Sequence, residues 1–192
     1  MVSKKIVFIV GMPGSGKSII SDELVREGFS YVRFGQIVID EIKKRGLEID
    51  EINEKTVREE LRKEHGMGAM ATLNVEKFDE LLKISNVVGD GLYSWTEYKI
   101  LKEKYGDSMR VLAVYAPPAL RYERLENRAI EGDSDSRFRS IPKEKSKARD
   151  YSEIESIEKG GPIAMADFTI VNTAALEDVK KQLGDFLTKI NI

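Results

Sequence analysis

The chain has 192 residues, with 31 basic and 33 acidic side chains, a net charge of −2 and no cysteine. That length suits one domain with a real core. The balanced charge offers no global field for nucleic acid or an anionic membrane, and the missing thiols exclude disulfides, thiolate zinc sites and cysteine catalysis. The N-terminal apolar run Ile6 to Val10 is too short for a signal-peptide core or a membrane span, so the expectation is a soluble cytoplasmic protein.

The first predicted element is a strand over Lys5–Val10, continuously apolar, as a strand covered on both faces must be. It runs directly into GMPGSGKS at 11–18, which satisfies G-x-x-x-x-G-K-[ST] with Gly11, Gly16, Lys17 and Ser18. Glycines let successive N–H groups turn toward one anion, and the helix predicted over 17–27 aims its positive dipole end at the same place. Met12, Pro13, Gly14 and Ser15 complete this cradle for ATP. Lys17 is placed on the β- and γ-phosphates, and the Ser18 hydroxyl on Mg²⁺.

A second strand over 29–34 leads into RFGQ at 33–36 and a helix over 36–45. Helical spacing over 54–64 and 75–83 then makes a helical insertion of about 35–84. The third strand, 86–90, ends in Asp90, a carboxylate at the place where a phosphate-binding loop needs a second metal ligand. A helix over 96–104 and a second continuously apolar strand over 109–116 follow. The helix predicted over 119–128 carries Arg124 and Arg128 four residues apart, on one face. The stretch 129–150 is too charged for a core and reads as a mobile basic lid, with Arg137, Arg139, Lys143, Lys145, Lys147 and Arg149. A helix near 143–159, a strand over 167–172 and a last helix with Leu176, Val179, Leu183, Phe186, Leu187 and Ile190 on one stripe complete the chain. Strands alternating with helices imply an α/β doubly wound parallel sheet in a single domain, 1–192.

GMPGSGKS, DGLYS at 90–94, RLENR at 124–128 and ADFTIVN at 166–172 follow one another in the order seen in P-loop nucleoside monophosphate kinases. The chain resembles that family, and more narrowly the archaeal adenylate-kinase-related, dephospho-CoA-kinase-like proteins. The resemblance implies a three-layer α/β/α P-loop NTPase fold with a five-stranded sheet of order 2-3-1-4-5, an NMP-binding insertion and a lid. It implies that Arg124 stacks on the donor base, Arg128 reaches the donor phosphates, and Arg149, followed by Asp150, closes over the group in transit. Lys17, Arg128 and Arg149 are then the catalytic residues of a Mg²⁺-dependent transfer from ATP to a nucleoside monophosphate, AMP first.

A hydroxyl acceptor benefits from a carboxylate that takes its proton, whereas a phosphate acceptor needs cations and alignment. RFGQ holds no acid at the end of the second strand, and Asp40 lies a helical turn on. A phosphate acceptor is therefore expected, met by Arg33, Gly35, Gln36, Arg58, Arg62, Asp90 and Gly91, with Arg58 and Arg62 sharing a helix face. The family's acceptor pattern departs here, since Ile39 and Ser94 stand where it has arginines. Tyr93 and Trp95 can stack on a base or fill the core, and Met67 and Met70 read as packing residues. His65, the single histidine, makes neither a metal site nor a triad. Two other readings stay open: phosphate transfer to the ribose hydroxyl of dephospho-CoA, and an ATPase switch or assembly factor.

Overall fold

A computed structural model describes residues 4–128 and 140–192. Five strands, β1 (Ile6–Val10), β2 (Ser30–Arg33), β3 (Val87–Asp90), β4 (Met109–Tyr115) and β5 (Phe168–Val171), form one parallel sheet of order β2-β3-β1-β4-β5, as expected. All five β1 residues are buried. Their alternation divides the core in two: Ile6, Phe8 and Val10 face one layer with Phe34 and Phe78, and Val7 and Ile9 face the other with Ile20, Leu24 and Phe186. The Phe8 ring meets Phe34 and Phe78 edge-on at 5.7 and 5.3 Å.

The second layer is closed by α1 (Lys17–Arg26) and α9 (Leu176–Lys189), whose predicted stripe buries Val179, Leu183, Phe186 and Ile190 while Leu176 stays exposed. The first is covered by α2 (Gln36–Lys44), α3 (Glu51–His65), α4 (Ala69–Leu82) and α5 (Trp95–Tyr105). Two of these begin earlier than the periodicity predicts. The Asp50 side chain caps α3 by accepting from Asn53 N at 2.7 Å. α4 starts at Ala69 because Ala69, Met70, Ala71 and Asn74 are buried, the Asn74 amide donating to Met70 O at 2.8 Å. Met70 packs as expected, whereas Met67 is exposed.

On the far edge, α6 (Pro118–Glu126) stops before Arg128, so Arg124 and Arg128 do not share a helix face. The sequence reads residues 143–150 both as the end of the lid and as the start of a helix near 143–159, and they follow the second reading: they open α7 (Lys143–Ile157), with Ser146 and Asp150 buried against α6. Arg137 and Arg139 lie outside the described residues. Glu158 at φ 54 turns the chain into the short α8 (Gly160–Ala164). Among the described residues no helix is long and apolar enough to cross a membrane.

Candidate phosphate-transfer site

The loop 11–16 leaves the carboxyl end of β1 at the centre of the sheet and ends at Gly16, the left-handed cap of α1 at φ 100. Only glycine fits there: a Cβ on Gly16 would come within 2.1 Å of the Asn172 amide nitrogen, and one on Gly11 within 2.4 Å of Val114 O. Ser15 N donates to Met12 O at 3.2 Å, closing the turn. Lys17 folds back over the loop, its Nζ donating to Gly11 O at 2.9 Å and Met12 O at 3.2 Å. Its pKa falls to about 7, through burial first, then the charge of Lys159, with Asp90 and Glu153 pulling the other way. The Ser15 hydroxyl is buried without a partner, as in a cradle shaped for acceptor oxygens that are not part of the chain.

Two struts hold this loop. Asn172, just past β5 and buried, donates from Nδ2 to Ser15 O at 2.8 Å and accepts from Arg124 Nη2 at 3.4 Å. Arg121 donates from Nη1 to Pro13 O at 3.0 Å, from Nε to Ala116 O at 3.0 Å, and forms a two-pronged ion pair with Asp150 at 3.0 and 2.6 Å. Arg121 belongs to no motif read in the sequence, and Asn172, the last residue of ADFTIVN, has no role in that reading. Arg124, expected on the donor base, keeps a buried Nη1 without a partner beside the loop, and burial lowers its pKa.

Asp90 pairs in register with Ile9 and accepts a hydrogen bond from Tyr31 OH at 3.0 Å. That register sets Asp90 beside the end of β1, where the loop begins, and its charge favours the Lys17 ammonium. A serine hydroxyl and one carboxylate are the sparse, all-oxygen donors that suit Mg²⁺, which keeps several waters and takes its other ligands from phosphates. No cluster of three or more His, Asp or Glu competes with that arrangement among the described residues.

On the acceptor side, positions 39 and 94 explain their missing arginines. Ile39 is 7 % exposed and belongs to the core, where a guanidinium would be stranded. Ser94 caps α5 in a capping box, its hydroxyl accepting from Glu97 N at 3.1 Å and its own N donating to Glu97 Oε2 at 3.0 Å. Of the replacements, Arg58 sits 3.8 Å from Glu54, and Gln36 donates to Asp40 at 2.9 Å on the surface. Arg62 is half-buried with an unpartnered Nε; burial lowers its pKa, while Glu97 supports its charge. Trp95 stacks on Tyr98 at 4.9 Å and so belongs to the packing. Tyr93 instead lies against Gly91, at about 3.0 Å from where its Cβ would be, and Lys159 Nζ stands 4.8 Å over its ring. Burial first, then Asp90, raises the Tyr93 pKa, and Arg149 and Arg33 oppose them.

Arg149 is held at 2.8 Å by Glu153, which also ion-pairs with Lys159. Burial opposes the Glu153 carboxylate, but Lys159 and Arg149 overcome it and bring its pKa down to about 2. His65 lies 3.6 Å from Glu64 on the surface.

A family model described as an AAA domain matches residues 7–158. A UPF0200 protein of Thermococcus kodakarensis is 39 % identical over 191 residues, 96 % of this chain and all of that protein. One of Thermococcus onnurineus is 37 % identical over 187 residues, 96 % of this chain and 97 % of the relative. The chain belongs to the UPF0200 family. Among solved structures, TT1252 from Thermus thermophilus aligns with a TM-score of 0.64 at 17 % identity over 97 % of both chains. A shikimate kinase from Bacteroides thetaiotaomicron aligns at 0.60 and 11 % identity, over 98 % of this chain and 99 % of the other. At such identities the likeness is one of fold: this UPF0200 member has the P-loop kinase fold.

Proposed function

We propose that the chain is a Mg²⁺-dependent phosphotransferase that moves the γ-phosphate of ATP to a nucleoside monophosphate, AMP being the first candidate. One observation carries the reading. Arg33, Arg62 and Arg149, from three separate parts of the chain, act on Tyr93 beside the P-loop, and no carboxylate stands at the end of β2. A ring of cations suits an anionic acceptor, which needs charge neutralisation more than a base.

In this reading the glycine cradle binds the donor phosphates, and Lys17 leaves its carbonyl partners to bridge the oxygens being separated. Ser18 and Asp90 would hold Mg²⁺, which would supply neutralisation of phosphate charge. Asn172 positions Ser15 and Arg124 on the donor side, and Arg62 and Arg33 receive the acceptor phosphate. Arg149 lies at the rim, where it reaches the group in transit.

The test is a panel of nucleoside monophosphates and dephospho-CoA with ATP and Mg²⁺, run beside Lys17→Ala. Wild type is expected to form a nucleoside diphosphate from AMP, and Lys17→Ala to lose turnover by a factor of about 10³ or more, since its charge acts on the transferred group. Phosphate appearing only in CoA, or ATP hydrolysis with no acceptor used, would overturn the assignment. Full activity of Lys17→Ala would remove the donor site itself.

A further inference from the structure

Lys159 belongs to no motif, yet it is the most deeply buried cation described around the site. It is 1 % exposed, it caps the short α8 after the left-handed turn at Glu158, and its Nζ lies over the Tyr93 ring and against Glu153. Tyr93 lies against Gly91, whose N donates to Ile9 O at 3.3 Å, one residue before the end of β1. This short chain of contacts brings Lys159 to the P-loop from the side opposite α1. Among the charges that lower the Lys17 pKa, Lys159 contributes most. Burying a lysine there is costly, and a hydrophobic residue of similar volume would pack against Tyr93 without that cost. Lys159 contacts Tyr93, and Tyr93 contacts Gly91 beside the end of β1, so a buried cation held there attracts an anion that reaches past the loop.

We propose that Lys159 is a second phosphate-binding lysine, which contacts the terminal phosphoryl group of a bound nucleoside triphosphate, with Glu153 as its resting counter-ion. This rests on the reading of Gly11–Ser18 as the ATP site, though not on the identity of the acceptor. Glu153 already divides its carboxylate between Lys159 and Arg149. An arriving γ-phosphate takes the place of that shared carboxylate on Lys159 and leaves Glu153 to Arg149, so the cation that offsets the new anion is in place before the ligand. A diphosphate does not extend to Lys159. The residue therefore separates ATP from ADP, while the P-loop binds the phosphates common to both.

The experiment measures binding of Mg²⁺ with the non-hydrolysable triphosphate AMP-PNP, and of Mg²⁺ with ADP, by calorimetry without any acceptor. Removing a charge-assisted contact predicts that Lys159→Met weakens AMP-PNP about tenfold or more and leaves ADP within about twofold, with Lys159→Arg recovering most of the loss. Glu153→Gln is expected to tighten AMP-PNP. Retained ADP affinity shows that the variant is folded. Equal losses on both nucleotides, or no loss on either, would overturn the proposal and leave Lys159 a structural residue. A wild type that binds neither nucleotide refutes the ATP site itself, and one that separates them but phosphorylates no monophosphate refutes only the acceptor assignment.

Discussion

At the scale of single residues, Lys17 and Gly16 give the sharpest expectations. The Lys17 ammonium is disfavoured by burial and by Lys159, so its proton leaves near pH 7, not near its ordinary 10.5. Between those values the unfolded chain binds a proton that the folded chain has released, so the nucleotide-free protein gains stability as pH rises through that window. A polyphosphate beside Nζ restores the charge, so nucleotide binding at about pH 8 takes up part of a proton. Calorimetric heats should accordingly differ between two buffers of unequal ionisation enthalpy; equal heats would show that Lys17 is already charged. Glu153 behaves in the opposite sense: its depressed pKa contributes stability above the ordinary carboxylate range, lost as pH falls toward about 2. Gly16→Ala combines a left-handed φ, worth about 1–2 kcal/mol of strain, with a clash at Asn172. Its denaturant midpoint should fall, and its nucleotide affinity with it.

At the scale of elements, α6 and α7 act as one unit because Arg121 and Asp150 lock them together and tie both to Pro13 of the P-loop. The side chains of the pair are 5 % and 7 % exposed, and Tyr122 OH adds a hydrogen bond to Asp150 at 2.9 Å. Asp150→Ala leaves a buried guanidinium without its counter-charge, a loss of about 3–5 kcal/mol, readable from urea unfolding. The double change Arg121→Met with Asp150→Leu should recover much of that stability but not the nucleotide affinity, because Pro13 loses its strut; recovery of both would mean that the pair only packs. This pair also decides between two readings of one segment, a lid to 150 and a helix from 143. The run of charges before Asp150 signals a solvated lid, and no local pattern tells that one of its acids is buried against an arginine in another helix. The central strands β1 and β4 are legible to within a residue or two because burial on both faces leaves a continuous apolar run, while the edge strands β2 and β5, only partly buried, are legible from their β-branched and aromatic residues. The starts of α3 and α4 depend on a cap at Asp50 and on burial of Asn74, which periodicity does not carry.

Across the whole molecule, the two halves of the site differ in how they are encoded. The donor half is contiguous, since one loop between β1 and α1 carries its glycines, lysine and hydroxyl, and a contiguous signature can be read without the fold. The acceptor half draws on β2, α3 and α7, and only the sheet order and the packing of α7 bring Arg33, Arg62 and Arg149 to Tyr93, where the α7–α8 turn adds Lys159. Arg33, Arg62 and Arg149 could be nominated from their position or spacing, while Lys159 gave no signal at all. The same geometry predicts a global response to ligand. The P-loop is bound to β5 through Asn172 and to α6 and α7 through Arg121, so nucleotide in the cradle stabilises elements on both sides of β4. A ligand at about 100 times its Kd adds about 2.7 kcal/mol to the folded state, which for a chain of this size is a rise in Tm of roughly 5–11 °C. Mg²⁺ with AMP-PNP should produce that rise in a single cooperative transition in wild type and a much smaller one in Lys17→Ala. Two separate transitions, with only one moved by nucleotide, would show that α7 unfolds independently of the cradle and that the Arg121 strut does not couple them.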